Sequence, residues 1–209
     1  MNEYHKIQTV FHRDPATNFK TVMPGQWALP EFEFLQGCQW EWTEKVDGTN
    51  IRVMWDGQRV TFGGKTDAAQ IPAQLANVLV ENMTPEVLAS VFTGPATLYG
   101  EGFGAKIQKV GHLYGASQGF ILFDVHCGGF WLERHNVEAV AVGLGCPVVP
   151  VVGRGTLHQM VALVQRGLGS ELGDLTAEGI VARPVVEVLS RGGHRIITKL
   201  KAKDFGGQP

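Results

Sequence analysis

A chain of 209 residues, 44% of them apolar, is long enough to bury a substantial core as one domain, or one and a small appendage. No run approaches the roughly eighteen apolar residues of a membrane helix. The formal net charge of -2 excludes a protein that coats nucleic acid by bulk electrostatics, so any contact with a polyanion must be local.

The N-terminus, Met1-Asn2-Glu3-Tyr4-His5-Lys6, lacks the apolar stretch of a secretion signal, from which a cytoplasmic location is expected. Cys38, Cys127 and Cys146 are odd in number and widely spaced, a pattern of reduced, buried thiols rather than of disulfides. Trp40 to Glu44 and Asn50 to Trp55 read as strands, and the Asp56-Gly57 turn leads into a return strand from Arg59 to Phe62. Lys45 therefore falls in a strand-to-strand loop. Phe62-Gly63-Gly64-Lys65-Thr66 has the look of a phosphate loop, but the first glycine of that motif would fall on Arg59.

Helical spacing runs from Ile71 to Met83. Thr84, Pro85 and Glu86 read as the cap, first position and acidic first turn of a second helix ending near Phe92. Ala96 to Glu101, Phe120 to Val125 and Phe130 to Leu132 are short β segments. Glu133 to Leu144 and Thr156 to Gly167 read as helices, with Pro147 to Val152 between them. Glu178 to Val188 and Arg195 to Lys201 are rich in Val and Ile and are separated by a Gly192-Gly193 turn. Strand pairs interrupted by helices predict an α+β class with mostly antiparallel sheets and covering helices.

Within this frame certain residues stand out chemically. Glu101 ends an apolar strand between two glycines, and Glu178 opens another apolar strand, where a buried carboxylate needs a cation beside it. Lys199 and Lys201 are two apart, so on a strand both point to one side and can act on one anion. The seven histidines are scattered without metal-ligand spacing and receive no role.

The series Glu44-Lys45-Val46-Asp47-Gly48-Thr49-Asn50, Leu98-Tyr99-Gly100-Glu101-Gly102-Phe103-Gly104, Phe120 to Val125, Glu178-Gly179-Ile180-Val181 and Lys199-Leu200-Lys201 resembles, in that order, the nucleotidyltransferase domain of the RNA-ligase branch of covalent nucleotidyltransferases. The resemblance implies a ligase-type (ATP-grasp-like) nucleotidyltransferase fold over residues 1–209, with ATP and Mg²⁺ (or Mn²⁺) as cofactors. It implies that Lys45 is the nucleophile that forms a lysyl-AMP. Lys199 and Lys201 would neutralise charge on the α-phosphate and help to free the amine of its proton, since at a reference pKa of about 10.4 only about one lysine in a thousand is neutral near pH 7.4.

Glu44, Asp47, Gly48 and Asn50 would line the nucleotide. Glu101 would accept from the ribose hydroxyls, Phe123 would stack on adenine with Asp124 beside it, and Glu178 would bind the metal ion as well as the nucleotide.

Lys65 stands where this branch commonly has arginine, and it lacks the planar fork for bidentate contact with the acceptor 5′-phosphate. Arg52 could share that duty or cap a sheet face. Thr49-Asn50 after the lysine motif favours RNA ligase over the alternatives, a DNA ligase or a GTP-using capping enzyme. From a different class, a nucleotide-binding interaction module without turnover stays open. The expected partner is RNA bearing 5′-phosphate and 3′-hydroxyl ends. The sequence runs only eight residues past Lys201, so no C-terminal OB-fold is expected within it and a partner chain is expected to supply that module.

Overall fold

A computed structural model describes residues 3–206. In chain order the elements are β1 (Gln8–Thr9), β2 (Phe11–Arg13), β3 (Val22–Trp27), α1 (Pro30–Leu35), β4 (Trp40–Lys45), β5 (Thr49–Trp55), β6 (Val60–Gly63), α2 (Ala73–Asn82), α3 (Pro85–Val91), β7 (Ala96–Gly104), β8 (Gln118–Cys127), β9 (Phe130–Trp131), α4 (Arg134–Leu144), β10 (Val151–Gly155), α5 (Leu157–Arg166), β11 (Gly179–Pro184) and β12 (Thr198–Lys201). Short 3₁₀ turns lie at Pro15–Thr17, Gly111–Leu113 and Ala202–Phe205. The fold is α+β, and its sheets are antiparallel except where β1 runs parallel to β12. None of the helices among the described residues is long and apolar enough to cross a membrane.

The chain divides into two compact units, one holding Asp47–Val149 with the described N-terminal residues up to His5, the other holding Lys6–Val46 and the segment from Pro150 onward. In the first unit the strands run β6-β5-β7-β8-β9. Alternation along β5 sends Ile51, Val53 and Trp55 to one face, where with Leu98, Leu122 and Val125 they pack on Leu75 and Leu79 of α2, Leu88 of α3 and Val137 of α4. The opposite face receives Asn50, Arg52, Tyr99 and Glu101. The cap read from sequence is present: Thr84 Oγ1 accepts from Val87 N at 3.4 Å, with Pro85 at the first helical position. Helix α2 starts at Ala73 rather than Ile71, because the residue before Pro72 is pushed toward extended backbone and Pro72 takes the cap position.

A β-bulge interrupts β8. Tyr99 pairs with Asp124 but Gly100 pairs with Leu122, so Phe123 has no opposite number on β7. Two residues on the bulged strand then oppose one on its partner. The ring of Phe123 and the carboxylate of Asp124 consequently touch the same neighbour, Tyr4.

In the second unit the strand order is β1-β12-β11-β4-β10. Its core joins Trp40, Trp42, Ile180, Ala182 and Leu200 of the sheet to Phe32 of α1 and Leu157, Met160 and Val164 of α5. A reciprocal cap starts α5: Thr156 Oγ1 accepts from Gln159 N at 3.2 Å, and Gln159 Oε1 accepts from Thr156 N at 2.9 Å.

Strand β11 is shorter than the sequence predicts, ending at Pro184, which has no N–H to continue the ladder. The glycine turn is present in the connection to β12, where Gly193 N donates to Ser190 O at 2.9 Å.

Candidate active site

Register brings the predicted cations together in the second unit. Gly179 of β11 lies opposite Lys45 of β4 on one side and Lys201 of β12 on the other, so both lysines leave the sheet on one face. Glu178, immediately before that row, accepts from Lys45 Nζ at 2.5 Å and forms an ion pair through its other oxygen with Lys201 Nζ. The carboxylate is 13% exposed. Burial raises its pKa, but the charge of Lys45 and the hydrogen bonds from Lys201 and Lys45 outweigh that and hold it below the ordinary glutamate value.

Gly179 is required by packing: a Cβ there would run into the Leu200 carbonyl oxygen and lie 2.7 Å from the Lys201 Cα. The space between the two lysines is thus left to their own side chains and to Glu178. Lys199, opposite Val181, lies two residues along β12 on the same face.

Glu44 is the exception among the residues expected at the nucleotide. Strand period two turns it to the face opposite Lys45, where it is 1% exposed and both of its oxygens are engaged. Ser170 Oγ donates to one at 2.5 Å and Glu171 N to the other at 2.9 Å. Its carboxylate fastens the 170–171 loop and points away from the face that carries Lys45.

In the first unit the sheet face opposite the helices carries Asn50, Glu101, Phe123 and Asp124. Asn50 lies directly opposite Glu101, and the Asn50 Oδ1 is buried with no hydrogen-bond partner among the described residues. An orphaned acceptor beside a carboxylate suits a ligand that brings hydroxyl donors. Asp124 accepts from Tyr4 Oη at 2.8 Å, and the Tyr4 ring meets Phe123 edge-on at 5.1 Å.

Arg52 is fully buried, donating through Nε to Gly64 O at 2.8 Å and pairing through Nη2 with Asp67 at 2.7 Å. These contacts hold the 64–67 loop, while Arg52 Nη1 is buried with no hydrogen-bond partner among the described residues. Lys65 stands exposed on that loop.

Sequence reasoning missed the residues that fix these groups. Asp204, fully buried, accepts from Lys201 N at 2.9 Å and from Arg13 Nη2 at 2.9 Å, and so sets where β12 ends. An acidic residue three places after Lys201 is the spacing of a helix cap, which is the signal that could have found it. Tyr114 Oη accepts from Asp47 N at 3.1 Å, and Gln108 Nε2 donates to Gly48 O at 2.9 Å.

Gly48 admits no side chain, since a Cβ would strike the Gly102 carbonyl oxygen and lie 2.7 Å from Glu101 Cγ. Gly48→Ala is expected to cost about 1–3 kcal/mol in chemical denaturation. Gly37→Ala, where nothing lies within 4 Å of the new methyl, should stay within about 0.5 kcal/mol of wild type. Equal unfolding midpoints for the two variants would contradict this packing.

A family model described as RNA ligase matches residues 39–201, from just before β4 to Lys201. Comparison with the curated proteins finds no match. Among solved structures, a Naegleria gruberi RNA ligase variant with ATP and Mn is 21% identical, with a TM-score of 0.66, over 82% of this chain and 52% of that one. The Naegleria gruberi RNA ligase with PPi is 20% identical at a TM-score of 0.66, covering 93% of this chain and 56% of that one. A variant with AMP and Mn is 19% identical at 0.66, over 93% and 56%. The chain spans about half the length of these structures, and at such identity they establish a shared fold. Since the family model covers well over half of the sequence and includes every strand that carries the lysine row, the chain belongs to the RNA ligase family.

Proposed function

We propose that this protein is an ATP-dependent RNA ligase whose nucleophile is Lys45. The observation that carries the reading is the Lys45–Glu178–Lys201 row, in which a strand-end lysine and a second ammonium flank one carboxylate. In the first step the Lys45 amine, as free base, attacks the α-phosphorus of ATP. An N–P bond forms, the bond from that phosphorus to the bridging oxygen breaks, and pyrophosphate leaves with the electron pair. Lys201 and Lys199 offset the charge that builds on the α-phosphate oxygens. AMP then passes to an RNA 5′-phosphate, and a 3′-hydroxyl displaces it to close the strand.

Asn50 and Glu101 are suited to accept from ribose hydroxyls, Phe123 to stack on the base with Asp124 beside it, and Asp47 and Gly48 to line the nucleotide. We assign Lys65 to the acceptor 5′-phosphate as a point charge. We read residues 1–209 as a single nucleotidyltransferase domain. The three free cysteines are not buried as the sequence suggests, Cys38 being exposed and Cys127 and Cys146 half-buried, and free thiols fit a reducing, cytoplasmic setting.

Among the described residues no group of three or more His, Cys, Asp or Glu side chains could cage a metal ion. Mg²⁺ or Mn²⁺ would be held on the protein side by the Glu178 carboxylate, an oxygen donor of the kind these ions prefer. Such an ion, when bound, supplies charge neutralisation on the phosphate oxygens. The Naegleria gruberi structures with ATP and Mn, with AMP and Mn and with PPi support this choice of substrate and ion class.

The test is incubation with α-labelled ATP and Mg²⁺ or Mn²⁺ followed by denaturation. Label retained on the polypeptide is the expected result. Its absence with both ions overturns the enzyme reading and leaves the nucleotide-binding module.

A further inference from the structure

We propose that the arm between β7 and β8, residues 105–117, is a contact for the phosphate backbone of single-stranded RNA, made through Lys106 and Lys109; the inference rests on the ligase reading and adds to it the surface that would hold the substrate strand.

The arm is held in place along its length. At its start Gln118 Nε2 donates to Ala105 O at 2.8 Å, and in its middle Gln108 is bonded to the Gly48 carbonyl. On its return Tyr114, 9% exposed, receives the Asp47 N–H and meets the Phe103 ring edge-on at 6.0 Å. Lys106 adopts φ of 66°, a left-handed conformation uncommon for a residue with a Cβ, and such strain persists only where surroundings impose it.

What the arm presents outward is charge of one sign. Lys106 and Lys109 are exposed and make no ion pair among the described residues, and residues 105–117 contain no Asp or Glu. In a chain of net charge -2 this is a local basic segment with no partner of its own, fastened to the turn that follows the nucleophile. A polyanion is the chemical complement. Two lysines spaced along a pinned loop fit successive phosphates of a strand rather than the flat edge of a base.

The experiment measures binding of a 5′-phosphorylated single-stranded RNA oligonucleotide across a salt series, using the whole protein. The double variant Lys106→Ala and Lys109→Ala should bind about tenfold more weakly near physiological salt. The slope of log affinity against log salt should flatten by about 1.4, the value for two single-strand phosphate contacts. Lys106→Arg with Lys109→Arg should restore both. Unchanged affinity and slope in the alanine variant, or no RNA binding by the wild type, overturns the inference. Retention of labelled AMP by the wild type, measured on the same preparation, tests the ligase reading separately. Matching thermal melts exclude misfolding as the cause.

Discussion

Lys45→Ala is expected to lower retention of labelled AMP by about a thousandfold or more, because no other group supplies the bond-forming electron pair. Lys45→Arg is the sharper variant. A guanidinium stays protonated at any working pH and cannot attack phosphorus, yet it keeps the positive charge beside Glu178. The arginine variant should therefore be as inactive as the alanine variant while melting closer to wild type. The alanine variant removes one of two cationic partners from a carboxylate only 13% exposed, at a cost of about 1–2 kcal/mol. Quantitative labelling alongside thermal unfolding separates the two effects. Label persisting in Lys45→Arg would place the nucleophile elsewhere.

Glu178→Gln should be nearly as damaging to labelling, by about a hundredfold or more, because the carboxylate we assign to the metal ion is replaced by a neutral amide. It also leaves the Lys45 and Lys201 ammonium groups without the anion between them. The pH dependence of stability carries a second signature. Burial raises the Glu178 carboxyl, but the two lysines bring it below its ordinary 4.5, so the folded state binds this proton less readily than the unfolded chain. The contribution of the pair to stability is complete above the unfolded value and is lost as pH falls through the folded one. Denaturation from about pH 5 down to about pH 3 should show wild type losing stability more steeply than Glu178→Gln. Parallel profiles would mean that the carboxylate is not held by the lysines in solution.

The elements that sequence rendered legible are those whose patterns are local. Strands β4 to β6, the Thr84-Pro85 helix start and the two later helices carry periodicity or caps within a few residues. No secondary-structure element is legible in the first 39 residues, and the reason is physical: β1 is two residues long and exists because it pairs with β12, 190 positions away. No window of local sequence contains that information. The same distance hides the link from Arg13 to Asp204, and hence the residue that fixes the end of the second lysine's strand.

Glu44 shows a different limit of local sequence. Adjacency in sequence suggested shared chemistry, while the alternation of a β-strand already placed the two side chains on opposite faces. Phe123 and Asp124 show the converse, since neighbours in a regular strand part company and only the bulge turns both toward Tyr4.

That extra residue in β8 has a consequence for how the strand tolerates changes in length. Excising Phe123 alone would return β8 to regular phase, with Leu122 still inward, Asp124 outward and Val125 inward, so the hydrophobic layer under the sheet would not need to be rebuilt. The ring is surplus to the pairing of its sheet, and a one-codon deletion there would subtract the aromatic group that meets Tyr4 while sparing the scaffold that carries it.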